Sequence, residues 1–451
     1  MKNASLAIIV VAVLSAWCRA QTLLSIPSAY TTDPHATSGA QAPNDAEILP
    51  GTLAIEAAKP AERMSLSDFE AFALDNHPAL ARATARVRAA RGQWLQEGLY
   101  PNPRIGYDGS EIGNEGRAGM QGGFAGQEIV TGGKLRLNRA VAAQEIREAE
   151  QQLEAERYRV LNNVRIRFYD MLIAQRAVDL TTELDTIGQQ SAETAERLYN
   201  AQQTAFNDVL QARIEWNTAK ITLQNARNEQ TAAWQRLAAA AGMPELTARP
   251  LEGNVTEERA GITWQAALDQ ILSTSPELAA AEARIERGRW AVQRARVEPV
   301  PNLDLETAVQ FDNASRDTFA SVMVGIPLPL WNRNQGGIMR AQGQLAAAQA
   351  EVPQIELDLT NRLAQTYARY ANARYQVDQY TKQILPDAKS SLDIVTKGYQ
   401  QGAFNFLNLL TAQRTYVQTN LMYLESLRQL RSTEVAIEGL LLTSEVSAEM
   451  K

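Results

Sequence analysis

The sequence holds one cysteine, Cys18, and two histidines, His35 and His77. One cysteine closes no disulfide within the chain. Two histidines, the first in a stretch rich in Pro, Ser, Thr and Asp, supply neither a His-based metal site nor a Ser-His-Asp arrangement. Past the first residues no apolar run nears the roughly 20 residues of a membrane-crossing helix. Positive charge is in deficit, since 44 Lys and Arg face 51 Asp and Glu for a net charge of -7. A surface that tracks nucleic-acid phosphates is thereby excluded. A phosphate loop is missing too: Gly132-Gly133-Lys134 is followed by Leu135, with Glu128 where such a loop needs Gly. No constellation argues for catalysis, so no enzyme activity and no cofactor are expected.

What the chain does have begins with residues 1–20. Lys2, an apolar run from Leu6 to Leu14 and the small-x-small site Cys18-Arg19-Ala20 read as an export signal. Trp17 before Cys18 is too bulky for a lipoprotein site, so lipidation is not expected. Cleavage after Ala20 leaves a cysteine-free chain, and loss of Lys2 and Arg19 takes the charge from -7 to -9. An exported chain without apolar helices can cross a membrane only with strands.

Strands are where the composition turns from helical. In residues 300–337 the alternation puts Leu303, Leu305, Thr307, Val309 and Phe311 on one face and Asp304, Glu306 and Gln310 on the other. A second run, with Val322, Val324, Ile326 and Leu328 on a face, follows a turn at residues 312–317. Each run suits a tilted membrane-spanning strand of roughly 9 to 11 residues. Taken alone the hairpin could equally be a soluble arm on a helix. It occurs twice, however: residues 104–130 show a second, Gly-rich hairpin with its turn at about residues 110–119.

The whole pattern is doubled. Pro78 and Leu80 recur as Pro276 and Leu278, and Pro101 and Pro103 as Pro299 and Pro301, each 198 residues on; Tyr199, Phe206, Asp208, Leu210 and Ala212 recur as Tyr399, Phe406, Asn408, Leu410 and Ala412, 200 residues on. The repeated unit is a short helix, a hairpin, a very long helix, a tip loop and a medium helix. The first long helix continues to about Tyr199 without Pro and with Gly188 as its one Gly; some 65 residues at 1.5 Å each make about 100 Å, a coiled-coil-like element. We assign the export signal to residues 1–20, an extended or weakly ordered segment to 21–63, the first repeat to 64–250 (hairpin 104–130, tip about 200–207), the second to 262–443 (hairpin 302–330, tip about 398–407) and a tail to 444–451. The expected class is mainly α with a β-barrel portion. Four strands leave open sheet edges that lipid cannot satisfy, and closure needs identical copies, at least two for eight strands or three for twelve.

The runs NHPAL (76–80), YPNPRIGYD (100–108), TGGKLRLNRA (131–140), PLPLWNRNQGG (327–337) and YQQGAFNFLNLLTAQ (399–413) resemble the outer-membrane factor family, the TolC-like exit ducts of tripartite efflux and type I secretion. The resemblance covers residues 66–442, and the YPNP and PLPLWNRN segments look most like members serving heavy-metal resistance-nodulation-division (RND) pumps. It implies a homotrimer with a 12-stranded barrel in outer-membrane lipid on a helical tunnel across the periplasm. It also implies a periplasmic membrane-fusion adaptor docking at the tips and an inner-membrane RND pump reached indirectly, through the adaptor. A duct for drug efflux or type I protein secretion, and a structural coiled-coil protein without a channel, are the alternatives.

The same resemblance assigns sites residue by residue. Asp304, Glu306 and Gln310 would face the barrel lumen. Asn200, Gln202, Gln203, Thr204, Gly402, Ala403 and Phe404 would form the adaptor-docking tips. Tyr399 occupies the place of the family's tip tyrosine and Asp208 that of the aspartate it clasps, which implies a hydroxyl-carboxylate bond in a closed gate. Two positions that are acidic in the family read Asn408 and Thr411, leaving Asp208 and Gln211 to supply the polarity of the constriction. The first tip also lacks the glycine that the second keeps as Gly402.

Overall fold

The computed structural model describes residues 63–113, 116 and 118–443. The export signal, Cys18, all but the last residue of segment 21–63, and the tail at 444–451 lie outside the described residues.

The first repeat opens with α1, Leu66–Asn76, whose start is fixed by Asp68: its carboxylate accepts both the backbone N–H and the hydroxyl of Ser65 at 2.8 Å. His77 ends α1 and caps α2, Pro78–Gln96, where its Nδ1 accepts the Ala79 N–H at 3.2 Å. Burial holds the His77 imidazole below its ordinary pKa, against the pull of Glu156, and so favours the neutral ring that this cap requires. Strands β1 (Arg104–Ser110) and β2 (Met120–Ile129) precede α3, Lys134–Asn200, an unbroken helix of 67 residues, and α4, Phe206–Ala240. The second repeat gives α5 (Trp264–Thr274), α6 (Pro276–Val297), β3 (Leu303–Asp312), β4 (Thr318–Gly325), α7 (Gln335–Gln379), α8 (Leu385–Gln400) and α9 (Phe406–Glu438).

Two details depart from the sequence pattern. The second long helix is not continuous: between α7 and α8, residues Tyr380–Ile384 form a π turn in which the Leu385 N–H reaches the Tyr380 carbonyl, five residues back. Pro386 has no N–H for an ordinary helical bond, and the first repeat carries Thr186 at that place. Strand β4 stops at Gly325, so Ile326 and Leu328 lie outside it, because Pro327 and Pro329 cannot donate to a ladder.

The two hairpins join into one antiparallel sheet of order β1-β2-β3-β4, with β2 pairing β3 across the repeats. Register puts Asp108, Gly122 and Gln310 in one row, and Gln310 Nε2 donates to Asp108 Oδ2 at 2.7 Å over the intervening glycine. A Cβ at Gly122 would lie 2.0 Å from the Val309 carbonyl oxygen, so no larger residue fits. Asp304, Glu306 and Gln310 share this face; Ile105, Tyr107, Val309, Phe311, Val322 and Val324 stand exposed on the other. Among the described residues β1 and β4 have one sheet neighbour each.

The helices follow the same open order. Beside the sheet, α3 touches α2 and α6, and α6 touches α7; toward the tips α4 packs on α3, α3 on α9 and α9 on α8. Where the rows meet, Phe69 is fully buried against Phe168 and Trp234, with ring centroids 6.0 and 5.9 Å away. The connection between repeats is tied down by Arg431 of α9, whose Nε donates to the Val255 carbonyl at 2.9 Å. Glu148 of α3 is mostly covered: it accepts Arg284 Nε at 2.8 Å and Arg287 Nη1 at 3.1 Å, joining α3 to α6. Sequence pattern cannot see that α6 lies beside it.

Candidate functional site: the paired helical tips

Each repeat ends in a tip built on one backbone plan. In the first, Gln202 takes a left-handed conformation with φ of 59°, its N–H bonding to the Tyr199 carbonyl at 2.9 Å, and the Gln203 N–H bonds to Leu198. In the second, Gly402 has φ of 74° and its N–H reaches the Tyr399 carbonyl at 3.1 Å, while the Ala403 N–H bonds to Gly398. Position 402 holds the glycine this geometry favours, and position 202 holds a residue with a Cβ that resists it. Replacing Gln202 by Gly is therefore expected to stabilise the protein by about 0.5–1 kcal/mol, and Gly402→Ala to destabilise it by a similar amount. Thermal unfolding of the two variants in detergent, followed by helical circular dichroism, should move in opposite directions.

Side chains differentiate the tips. Thr204 Oγ1 donates to the Asp208 carboxylate. In the second tip the Asn405 side chain accepts the Asn408 N–H at 3.0 Å, and the Phe404 ring lies over Gly398 so closely that a Cβ there would be 2.1 Å from it. Thr411 turns its hydroxyl back to the Leu407 carbonyl at 2.9 Å. Asn200, Gln202, Gln203, Gly402, Ala403, Phe404, Asn408 and Thr411 are exposed, and Thr204, Asp208 and Gln211 half-buried.

Behind the tips lies a small apolar core of Ala192 and Ala195 from α3, Val209 and Ala212 from α4, Tyr399 from α8, and Phe406, Leu409 and Leu410 from α9. Gly188 leaves room for Trp216, whose Nε1 donates to Asp185 at 3.0 Å and whose ring carries Lys220 Nζ 3.4 Å above it. Gln413 Nε2 donates to Ser191 Oγ at 2.7 Å, and Arg414 reaches Glu215. These cross-tip contacts have no signature in the sequence, since they depend on which helices become neighbours.

The expected bond between Tyr399 and Asp208 is not made. Tyr399 is 3% exposed and its hydroxyl has no hydrogen-bond partner among the described residues, while the Asp208 carboxylate is engaged by Thr204 of its own loop. Asp208 is still close enough to matter. Burial first, and the Asp208 charge second, push the Tyr399 hydroxyl pKa above its ordinary value and keep it protonated.

Elsewhere, a hollow among α2, α3, α6 and α7 has many charged groups, and much of its charge is mutually paired: Glu277 faces Arg159 and Arg362, and Arg284 bridges Glu148 and Glu351. Among the described residues no group of three or more His, Cys, Asp or Glu is placed to hold a metal ion, and no helix is long and apolar enough to cross a membrane.

Comparison with known proteins bears on both tips and sheet. A family model described as outer membrane efflux protein matches residues 72–243 and 267–441. The cobalt-zinc-cadmium resistance protein CzcC of Cupriavidus metallidurans is 28% identical over 378 residues, covering 80% of this chain and 86% of that protein. The pyoverdine export outer membrane protein OpmQ of Pseudomonas putida is 31% identical over 162 residues, a third of each chain. The fold matches the solved outer-membrane channel OprN with a TM-score of 0.70 at 19% identity, covering 86% of this chain and 95% of that one. It matches CusC with a TM-score of 0.67 at 18% identity, covering 87% and 96%.

Proposed function

Because this chain belongs to the outer membrane efflux protein family, and is thus an outer-membrane component of efflux, we propose that it is the exit duct through which an RND-type tripartite system discharges metal cations. The similarity to the cobalt-zinc-cadmium resistance protein, sustained over most of both chains, carries the choice of metal cations. The open edges support assembly of three copies. With β1 and β4 each lacking an outer neighbour among the described residues, three four-stranded sheets would close a 12-stranded barrel and satisfy edge groups that lipid cannot. In that barrel the face bearing Asp304, Glu306 and Gln310 lines the lumen, and the exposed aliphatic and aromatic face meets lipid. The tips then point into the periplasm, where an adaptor docks on Gln202, Gln203, Gly402, Ala403 and Phe404. The duct itself needs no metal ligands, since it conducts rather than binds.

Deletion of the gene should sensitise the cell to Zn, Co or Cd, with the plasmid-borne gene restoring tolerance. Normal tolerance to all three, with a loss of tolerance to organic toxicants instead, would transfer the duct to drug efflux.

The closed gate, in this reading, gathers Tyr399, Asp208, Gln211, Asn408 and Thr411, and its cohesion at Tyr399 comes from ring packing. Tyr399→Phe removes a buried hydroxyl without a partner, so it should leave single-channel conductance unchanged and raise stability by about 1 kcal/mol. Planar-bilayer recording with thermal unfolding of the same sample checks both. A rise in conductance would show that the hydroxyl holds the gate.

A further inference from the structure

All the charge of the sheet lies on one face. Arg104, Asp108, Glu128, Asp304, Glu306 and Asp312 share it, while the face of Ile129, Leu303 and Leu305 has none on any of the four strands. Both faces continue onto the helices beside the sheet. Lys134, at the start of α3, donates to Asn302 Oδ1 at 2.9 Å, and Asn302 Nδ2 donates to Glu128 Oε1 at 2.6 Å, so the side of α3 that carries Lys134 follows from the charged face. Asn138 stands four residues on, hence on the same side, and lines a hollow together with Glu97, Glu145, Arg294 and Glu298.

Arg136 and Arg296 stand on the other side. Two residues turn a helix by about 200°; Arg136 lies two from both Lys134 and Asn138, and Arg296 two from both Arg294 and Glu298. The two arginines are also level with each other. Helix α3 leaves the sheet and α6 approaches it, and Arg294 Nε donates to Asn138 Oδ1 at 2.5 Å. Two residues nearer the sheet on each helix come Arg136 and Arg296. Both are exposed, and neither guanidinium has a hydrogen-bond or ion-pair partner among the described residues. Arginines farther from the sheet on the same side do have partners: Arg289 pairs with Glu286 at 2.6 Å, and Arg147 donates to Gln144 at 3.2 Å. At the sheet end Ile129 and Val300 are 39% and 41% exposed.

We propose that Arg136 and Arg296 together clasp the phosphate of an anionic phospholipid in the periplasmic leaflet, whose acyl chains lie along Ile129, Leu303 and Leu305. The inference rests on the duct reading, which sets this level at the inner surface of the outer membrane. Packed helices have axes about 8–10 Å apart, a span that two long arginine side chains can close around one headgroup. The apolar face beside them selects a lipid over free phosphate, since an inorganic ion gains nothing from apolar contact. Helices α3 and α6 are the middle pair of the row α2, α3, α6, α7, so copies that meet along α2 and α7 leave this site open to lipid.

The test starts from full-length protein stripped of lipid in detergent, to which phosphatidylglycerol, phosphatidylcholine or inorganic phosphate is returned. Native mass spectrometry counts bound lipid, and thermal unfolding reads its effect. Phosphatidylglycerol should bind and raise the unfolding midpoint; phosphatidylcholine and inorganic phosphate should do neither. Arg136→Gln with Arg296→Gln should weaken phosphatidylglycerol binding by about 25-fold, about fivefold for each arginine. Arg136→Lys with Arg296→Lys should keep most of it. Arg147→Gln with Arg289→Gln removes the same charge farther from the sheet and should leave binding unchanged. Equal losses in the two glutamine pairs, equal binding of the two lipids, or inorganic phosphate acting as well as phosphatidylglycerol would each overturn the lipid site while leaving the duct intact. A chain that leaves the membrane fraction without detergent would overturn the duct and the site together.

Discussion

Replacing Arg431 by Met is expected to lower stability by about 3–5 kcal/mol. Arg431 is 3% exposed and carries its charge into the packed base of α9. Its guanidinium donates to the Val255 carbonyl at 2.9 Å, to the Glu257 carbonyl, and to Glu434 Oε2 at 2.6 Å. Glu434 is itself 5% exposed, and the next cation, Arg259, stands 3.9 Å from its carboxylate. Met fills similar volume but leaves a buried carboxylate short of its main partner and two carbonyls without donors. The double variant Arg431→Met with Glu434→Leu should recover much of the loss, because the stranded charge goes with it. Denaturant midpoints in detergent of the parent, Arg431→Met, Glu434→Leu and the double variant measure the coupling. Equal midpoints for the single and double variants would show that Glu434 is not the stranded group.

Phe69→Ala should cost about 3–5 kcal/mol by emptying the middle of the main core. The ring is 0% exposed and touches Phe72, Phe168 and Trp234, with centroids 6.4, 6.0 and 5.9 Å away. Helix α1 has 11 residues and little stability of its own, so its hold on α3 and α4 depends on this ring and on Ala73. The strand-like bridge just before it, where the Glu252 N–H bonds to the Met64 carbonyl at 2.8 Å, should loosen with it. Phe69→Leu retains most of the volume and should lose about half as much. Hydrogen exchange is the discriminating readout. Loss of protection confined to α1 and residues 250–252 would mean local release, and uniform loss would mean that α1 is integral to the cooperative unit.

The tips illustrate how legibility divides between sequence and structure. Their positions could be read from the recurrence of Tyr199 and Phe206 at Tyr399 and Phe406, and the glycine missing from the first tip was visible as Gln202. The fate of each tyrosine was not, because equivalent residues look alike until neighbouring helices are placed. The expected Tyr399 to Asp208 bond followed from a resemblance between single positions, and it is not made: the Tyr399 hydroxyl is buried without a partner among the described residues, and the Asp208 carboxylate accepts from Thr204 of its own loop. Glu148 shows the same limit: nothing in its local spacing marks it for a contact, yet two arginines of α6 cover it.

By itself the sequence determined the doubled unit, the four strands and the long helices as expectations of pattern. Alternation at period two, apolar spacing of three to four, and Pro and Gly as punctuation are local properties, fixed by covalent geometry within a few residues. Only the tertiary structure decided that β2 pairs with β3, that Gly122 lets Gln310 meet Asp108, that Pro386 resolves into a π turn, and that one of two equivalent aromatic pairs is buried while the other stands bare. Those outcomes depend on contacts between residues up to about 200 positions apart, and no local pattern encodes which of several compatible surfaces will be adjacent.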